Sequence, residues 1–491
     1  MRFHWPWFRK NKDRTSEVPA VTVTLAPNKP PLVEKALFRK SYLIIAGFDF
    51  GTSFSKVVIR EQAQKIAETV TYGDGQWLFP SLIGYKDGKL FAPLCANLEG
   101  PLPYLKMLLP QVLGRQDDDG GAIPESLAEL LQGQNQVEVM RDLLAWFFAN
   151  VLAATREHIS KRSHWQDWHE LIRRDKLLAN VCIPVGIMND RSASSDCLHD
   201  AFCLGFLLSR KVSPSMDEMY GFADWRNACA DLLEEITEVR DKVCFTFPEV
   251  AAGVQSVFRS PTAEDGLYIT MDVGAGTVDM NAFRRHTAQR WQGVEDRPNN
   301  LDYYAAKVSA YGVARIAEAQ HRNPFELLSH VNWDRDAQLV LKPLLEEDLA
   351  HRVATQVEIL FGAAKLMQRN LGSVEGSKTW DSCRVYAWGG GYEYRAYPHA
   401  LTEGLKNCGL SMATMRLPAP QDLSLPMGAD YQRLSIAYGL SFFIADLGVI
   451  RLPEDVPVVE PVDHPSRFPR DPSDQGYFTS PTVAGENPLY D

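Results

Sequence analysis

The sequence of 491 residues lacks several features that would identify common classes of protein. It has no apolar run near the roughly 20 residues needed to span a bilayer. Its eight cysteines include no C-x-x-C pair and no spacing typical of a metal site. Basic residues are not in excess either, because the net charge is -11. These absences argue against a membrane-spanning protein, a cysteine-held metal site and a general nucleic-acid binder.

The composition that remains is that of an ordinary globular protein. Hydrophobic residues make up 45% and charged residues 23% of the chain. The length allows two or three domains or one large two-lobed body. Several cysteines, such as Cys182 and Cys244, lie in apolar segments typical of strands. We interpret them as reduced, buried thiols, which predicts a cytoplasmic protein.

Both ends of the chain predict disordered tails. Residues 1–41 form a basic, aromatic arm that lacks the apolar stretch typical of a secretory signal. This arm could make a weak peripheral contact with an anionic membrane through its tryptophans, but Pro6 and the short length favour a plain disordered arm. Residues 449–491 are rich in proline and acidic, a composition that cannot bury a core.

Between the tails, hydrophobic periodicity predicts alternating strands and helices. Asp87-Gly88 is a hairpin turn signal. Strands are predicted at 176–185, 243–247, 267–271 and 384–388, and helices at 125–160, 190–208, 301–318, 348–370 and 431–444.

The central motif is LIIAGFDFGTSFSKVVIR, residues 43–60, which predicts two strands joined by a tight turn. Its turn contains Asp49, Gly51, Thr52, Ser53, Ser55 and Lys56. A glycine lets backbone approach a ligand, amides and hydroxyls donate to phosphate oxygens, and a lysine offsets phosphate charge. The carboxylate can hold Mg²⁺ through water. This motif alone leaves open a second interpretation, a solvated hairpin turn.

A second motif, LYITMDVGAGTVDMNAF, repeats this plan at residues 267–283. Asp272 precedes the turn and Asp279 follows it, and the turn itself contains Gly274, Ala275, Gly276 and Thr277. Two such hairpins predict two lobes that hold one polyphosphate, with Asp49 and Asp272 facing the same metal ion. The alternative, that each carboxylate only caps a turn, is less favoured for the pair.

A third motif, VYAWGGGYEY, ends a predicted strand in three glycines. Gly389, Gly390 and Gly391 would let a flat ligand such as a purine and its ribose pack against bare backbone. A triple glycine alone is a weak signal, but it gains weight as the third motif in this order.

In this order, the three motifs resemble those of the superfamily of actin, sugar kinases and seventy-kilodalton heat-shock ATPases. The resemblance covers roughly residues 44–447 and includes two connecting helices, in PEVAAGVQS and SIAYGLSF. The heat-shock chaperones are the most similar members, on FPSLIGYKDGKLFAPLCAN and VCIPVGIMNDRSASSD. The resemblance implies an α/β, two-lobed actin-like fold of duplicated ribonuclease-H-like domains. Lobe I would be residues 42–247, with an acidic helical insertion at 213–243, and lobe II residues 248–448.

The resemblance also implies an ATPase that uses ATP and Mg²⁺. Asp49 and Asp272 would hold the water shell of the Mg²⁺. Thr52 and Thr277 would contact the β- and γ-phosphates, and Asp279 would orient the attacking water. The three glycines from Gly389 to Gly391 would carry the adenosine.

Other implied roles are less well matched. Lys106 lies where the chaperones have a catalytic lysine, and Lys56 where actins have a phosphate-contacting one, so either could neutralise the γ-phosphate. Glu249 is the candidate catalytic glutamate, but it follows a proline where the chaperone residue precedes one, so its side chain could point elsewhere. Lys365 matches the helix on the adenosine side, whereas Gly362 replaces the glutamate of that helix.

The expected function is a stand-alone, slow ATPase module that acts as a nucleotide-dependent switch with a separate, unidentified partner protein. Only about forty residues follow the last predicted core helix, too few for the peptide-binding domain of a chaperone. The insertion and the acidic tail are the expected partner surfaces. The alternatives are an actin-like filament or scaffold ATPase, a small-molecule kinase and a pseudo-ATPase.

Overall fold

The computed structural model describes residues 41–93, 98–113, 123–162, 165, 168, 176–183, 193–212, 219–286, 300–314, 343–370 and 380–452. Within these ranges the protein is a mixed α/β structure with three sheets and eleven helices. Cys95, most of both predicted tails and residues 184–192 lie outside the described ranges. No described helix is both long enough and apolar enough to cross a membrane.

The described strands and helices are numbered separately in chain order. The strands are β1 Leu43–Asp49, β2 Phe54–Glu61, β3 Ile66–Thr69, β4 Phe79–Pro80, β5 Ile83–Lys86, β6 Lys89–Phe91, β7 Pro101–Leu102, β8 Lys176–Ile183, β9 Met219–Gly221, β10 Cys244–Pro248, β11 Gly266–Val273, β12 Val278–His286, β13 Asn300–Ser309, β14 Arg384–Trp388, β15 Thr414–Met415, β16 Leu423–Ser424 and β17 Ile450–Arg451. The helices are α1 Leu105–Val112, α2 Glu125–Leu131, α3 Gln136–Lys161, α4 Ala193–Leu208, α5 Phe222–Ala230, α6 Ile236–Val239, α7 Glu249–Gly253, α8 Gln255–Phe258, α9 Pro343–Asn370, α10 Ala396–Asn407 and α11 Ser435–Leu440.

The two larger sheets have the same strand plan. The first has the order β10-β8-β1-β2-β3-β16, with the short β4 also paired to β2. The second has the order β15-β14-β11-β12-β13-β17. In each sheet an antiparallel meander of three strands is extended by parallel strands on both sides. The described part of the chain therefore contains one sheet topology twice.

Aromatic packing fills the core beside the first sheet. Phe48 of β1 packs edge-on against Phe148 of α3, with ring centroids 5.3 Å apart. Phe202 of α4 packs on the same two rings. Edge-to-face pairs of this kind add to the free energy of burying the rings. Helix α3 is buried along most of its length, and Asn135 caps its N-terminus by accepting from Val137 and Glu138.

The end of the described chain returns to the first sheet. Helix α11 lies directly on β1, because a Cβ on Gly47 would be 2.2 Å from the carbonyl oxygen of Ala437. The same helix crosses α7, where a Cβ on Gly439 would be 1.9 Å from the carbonyl oxygen of Ala252. Asn180 of β8 donates to the carbonyl of Leu440. Helix α11 follows the predicted lobe boundary at residue 248 in the sequence, yet it packs on the first sheet, whose strands β1 and β8 precede that boundary.

A small third sheet, with the order β7-β5-β6-β9, lies beside the first. Its β5–β6 hairpin turns at Asp87 and Gly88, both with positive φ, as the Asp-Gly signal predicts. Strand β9 comes from the predicted insertion at 213–243. That segment forms β9, α5 and α6 over its described residues, so it combines the predicted helices with a strand that joins this sheet.

Most predicted elements are present, with one clear error. Residues 301–318 were predicted as a helix, but Asn300–Ser309 is strand β13, paired with both β12 and β17. Alanines, leucine and tyrosines in this segment fit either structure, and pairing with β12 determines the outcome. The predicted helix at 431–444 is also broken, because only Ser435–Leu440 is α-helical.

Candidate functional site

A pocket with about 690 Å³ of empty space, part of it open to solvent, lies between the two larger sheets. It is lined by all five predicted catalytic residues: Asp49, Lys106, Glu249, Asp272 and Asp279. Ten of the predicted cofactor-binding residues also line it: Gly51, Thr52, Ser53, Lys56, Gly274, Ala275, Thr277, Gly389, Gly390 and Gly391.

Both motif hairpins line this pocket, and they have equal lengths. Asp49 pairs in register with Lys56 across β1 and β2, and Asp272 pairs with Asp279 across β11 and β12. Six residues separate the members of each pair, so Lys56 and Asp279 occupy matching positions. One hairpin therefore has a lysine where the other has a carboxylate.

Side-chain contacts hold these polar groups in place. Lys56 Nζ lies 2.9 Å from Asp49 Oδ2. Thr277 Oγ1 donates to Asp279 Oδ2 over 2.7 Å. Cys182, on the neighbouring strand β8, accepts from the amide of Phe50 at 3.2 Å. The first turn is thereby anchored to a parallel strand of its own sheet.

The two turns are in direct contact. A Cβ on Gly276 would lie 2.8 Å from Thr52 Oγ1, so only glycine fits there without displacing Thr52. Residues after β13 support the second turn from behind, since the amide of Ala314 donates to the carbonyl of Ala275 at 2.7 Å. Any ligand between the turns would contact residues of both sheets.

Lys106 and Glu249 form an ion pair in the same pocket. Their side chains are only 11% and 6% exposed. The side chain of Glu249 therefore points into the pocket and not elsewhere. Pro248 is in an extended conformation at the end of β10, and the chain turns there so that Glu249 begins α7 facing Lys106. The reversed order of proline and glutamate still delivers the carboxylate to the pocket.

The carboxylates of the second hairpin lie in an unfavourable electrostatic environment. Burial, Asp279, Glu249 and Asp49 raise the pKa of Asp272 well above its usual range. Burial and Glu249 raise the pKa of Asp279 to about 7, against the lowering effects of Lys106 and Thr277. Burial acts to lower the pKa of Lys106, but Glu249, Cys182 and Asp279 outweigh it and the pKa is raised. A cation beside Asp272 and Asp279 would relieve this crowding of charge.

The triple glycine is fixed beside Asp272. Gly389 has φ +93°, and a Cβ there would lie 2.3 Å from Asp272 Oδ1. The amide of Gly391 donates to the carbonyl of Val273 at 2.9 Å. The glycines thus line the pocket with bare backbone, as the motif predicted.

Three predicted residues do not line the pocket. Ser55 is fully buried behind the turn and shares a hydrogen bond with Ser81. Gly276 lies against Thr52, as described above. Lys365 is an exposed residue of α9 with its Nζ 4.3 Å from the ring centroid of Phe361. Its place on the helix surface gives Lys365 no contact with the pocket walls.

Seven lining residues were not predicted: Phe54, Val273, Trp388, Gln432, Arg433, Ser435 and Ile436. Phe54, Val273 and Trp388 are immediate neighbours of predicted motif residues, so the motifs could have indicated them. Gln432 and Arg433 precede the SIAYGLSF helix, and no local pattern identifies them. They reach the pocket because α11 packs on β1.

The pocket could hold an oxygen-rich ligand. Ser53 Oγ is buried and has no hydrogen-bond partner among the described residues, so a donor is left for a ligand atom. Within the same ranges, no three His, Cys, Asp or Glu side chains are grouped closely enough to bind a metal directly. Four carboxylates and the cations Lys56, Lys106 and Arg433 line the pocket. This donor set suits phosphate together with a hydrated cation.

Comparison with models of known protein families finds no family that matches this chain. Comparison with curated proteins finds no match either.

Proposed function

We propose that this protein is a Mg²⁺-dependent ATPase with a two-lobed, actin-like fold, similar to the nucleotide-binding module of the seventy-kilodalton heat-shock chaperones. The observation that supports this most directly is the pair of equal hairpins, which present Asp49 and Asp272 to one pocket. The repeated sheet topology supports the duplicated ribonuclease-H-like architecture of the proposal.

The residues present fit a nucleotide and its metal ion. The orphan hydroxyl of Ser53 and the amides of the two turns are donors suited to phosphate oxygens. Asp49 and Asp272 would hold Mg²⁺ through its water shell, and the bound ion would offset phosphate charge. Burial and the neighbouring carboxylates raise the pKa of Asp272, and a bound cation would offset this effect.

The other side chains supply the groups that hydrolysis needs. Lys106 would stabilise charge on the terminal phosphate, and Glu249 holds Lys106 in the pocket. Asp279, with a pKa of about 7, is suited to accept a proton from an attacking water near neutral pH.

Phosphate release and thermal unfolding test this proposal together. Mg·ATP should raise the melting temperature of the wild-type protein, because a ligand that binds only the folded state stabilises it. Asp272→Ala should abolish this increase. Glu249→Gln should keep it while slowing phosphate release by roughly 100-fold.

Glu157→Gln is the matched control, since Glu157 pairs with Lys161 on the exposed face of α3. It should change neither measurement. If Mg·ATP does not raise the melting temperature of the wild type, or raises that of Asp272→Ala equally, the site assignment is wrong.

A second candidate is nucleotide binding without turnover. It is favoured by the contact of 2.9 Å between Lys56 and Asp49, because a lysine at this carboxylate competes with a hydrated metal ion. Thermal protection by ATP that persists in EDTA, with no phosphate release, would identify this alternative.

The switch role is the part of the proposal that concerns partners. A clamp that closes on nucleotide can change a distant surface and so control binding of another protein. Capture of partners from the source cell with and without ATP tests it. Binding that is indifferent to nucleotide would contradict the switch, and ATP-dependent light scattering by the protein alone would favour a filament instead.

A further inference from the structure

Arg433 is a cation of the pocket wall that the proposed function does not use. It is the last residue of a short 3-10 turn, Tyr431–Arg433, capped by Asp430. Its Nε lies 3.0 Å from the position that a Cβ on Gly390 would occupy. The guanidinium therefore lies directly beside the triple glycine, and a side chain at Gly390 would press against it.

The backbone that carries Arg433 is held firmly. The side chain of Gln432 accepts from the amide of Leu417 at 3.2 Å and donates to the carbonyl of the same residue at 2.8 Å. The amide of Gly389 donates to the carbonyl of Gln432 at 3.4 Å. The guanidinium carbon lies 5.6 Å from the ring centroid of Trp77. These contacts fix the arginine relative to the glycine turn before any ligand arrives.

The charge of Arg433 is retained although the residue is only 9% exposed. Burial lowers its pKa to about 10, against the raising effects of Asp430 and Asp49. Each of those carboxylates also pairs with another cation: Asp430 with Arg416 at 3.1 Å and Asp49 with Lys56 at 2.9 Å. A charged guanidinium on a pocket wall can donate hydrogen bonds to an anionic ligand there.

Resting on the proposed function, we propose that Arg433 binds the phosphate groups nearest the ribose of a nucleoside di- or triphosphate. The glycine turn is the expected adenosine side of the pocket, and Arg433 lies beside this turn on the pocket wall. Lys106 is held on the pocket wall by its ion pair with Glu249. A guanidinium offers a planar set of donors that matches a phosphate without any metal ion.

This role predicts selection by phosphate number. ADP and ATP contain the groups that Arg433 would contact, and adenosine contains none of them. ADP should bind measurably in EDTA, because part of its charge is met by a side chain and not by the metal.

Isothermal titration with ADP, ATP and adenosine tests the inference on the full chain, with and without Mg²⁺. Arg433→Gln should weaken binding of ADP and ATP by roughly 10- to 100-fold and leave adenosine binding unchanged. Arg433→Lys should recover part of this loss, since it restores the charge but not the planar donors. Arg352→Gln, on the exposed face of α9, is the matched control and should bind all three ligands as the wild type does.

The outcomes separate the inference from the proposed function. If the wild type binds ADP and Arg433→Gln binds it equally well, the inference is wrong and the function stands. Equal losses for ADP and adenosine would also overturn it, because they indicate a structural role, which the melting temperature of the free variant would confirm. If the wild type binds none of the three ligands, the proposed function and the inference both fail.

Discussion

Ser53 and Ser55 lie two residues apart in the first hairpin and have opposite surroundings. Ser53 lines the pocket, and its hydroxyl has no partner among the described residues, whereas Ser55 shares a buried hydrogen bond of 2.9 Å with Ser81. A buried polar group costs stability when its partner is missing. The two hydroxyls therefore allow ligand binding and folding to be tested separately.

We expect Ser53→Ala to leave the free energy of unfolding unchanged or slightly increased, and to weaken nucleotide binding by about tenfold. Ser55→Ala should do the reverse. It should lower the free energy of unfolding by about 1–3 kcal/mol, because Ser81 loses its partner, and leave nucleotide affinity unchanged. Urea unfolding and ADP titration measure both effects, and equal behaviour of the two variants would contradict the assignment of Ser53.

Asp279 should make stability depend on pH. Its pKa is raised from 3.8 to about 7 in the folded protein, so between these values the folded state holds a proton that the unfolded state has lost. Stability from this group is complete below pH 3.8 and is lost as the pH rises through 7. The full effect is on the order of 4 kcal/mol.

Unfolding in urea between pH 5 and 8 checks this expectation. The free energy of unfolding of the wild type should fall over this range relative to that of Asp279→Asn, which has no proton to lose at this position. Parallel pH profiles for the two proteins would show that Asp279 does not titrate as inferred.

At the scale of elements, the glycine turn after β14 is the most constrained feature of the site. Gly389 combines a positive φ with a Cβ direction blocked by Asp272, whereas Gly409, which follows α10, has φ +79° and nothing within 4 Å of a Cβ. Substitutions at Gly389 and Gly409 therefore separate the free-energy cost of a positive φ from the cost of a Cβ that clashes with its neighbours.

Gly409→Ala should lower the free energy of unfolding by only about 1 kcal/mol, the cost of a left-handed residue with a side chain. Gly389→Ala should lower it by more than about 3 kcal/mol, because the new methyl group also displaces Asp272 or the backbone of Val273. Urea unfolding of both variants measures the difference. Similar losses of unfolding free energy in the two variants would mean that the turn at Gly389 shifts to accommodate the methyl group.

The hairpins could be predicted from sequence because their information is local. Eighteen consecutive residues contain both strands, the turn glycine and the polar set of the first hairpin. Strand β13 could not be predicted in this way. Its residues are compatible with a helix, and pairing with two other strands determines their conformation.

The site residues, like the strands, could be predicted where the information is local in the sequence. Motif residues next to a turn, such as Asp49 and Asp272, reach the pocket with their hairpins. Arg433 reaches it only because the chain returns to the first sheet far from the first motif. The direction of the Glu249 side chain could not be predicted without the extended backbone conformation of Pro248, which sets where the next residue points. Lys365 was placed by resemblance on a helix whose exposed face carries it.

At the scale of the whole molecule, the pocket is lined by one hairpin from each of the two larger sheets. A nucleotide between them would contact both turns at once. We therefore expect Mg·ADP to slow amide hydrogen exchange in both hairpins, at residues 51–54 and 274–277, to a similar degree.

Hydrogen exchange followed by mass spectrometry measures this protection. Exchange in the hairpin of β5 and β6, which does not line the pocket, is the internal control and should not change. Protection of one motif hairpin without the other would contradict a ligand held between the two sheets.

Lys56 and Asp279 occupy matching positions in the two hairpins but have opposite charges, so the two sides of the pocket are not equivalent. Two copies of one sheet plan would present a linear anion with two equivalent ways to enter, head first or tail first. A cation at the matching position of one copy and a carboxylate at that of the other remove the equivalence, since the two entry modes then differ in electrostatic energy. This pair of opposite charges thus contributes to the polarity of binding, so exchanging them, Lys56→Asp with Asp279→Lys, should weaken the preference for one entry mode.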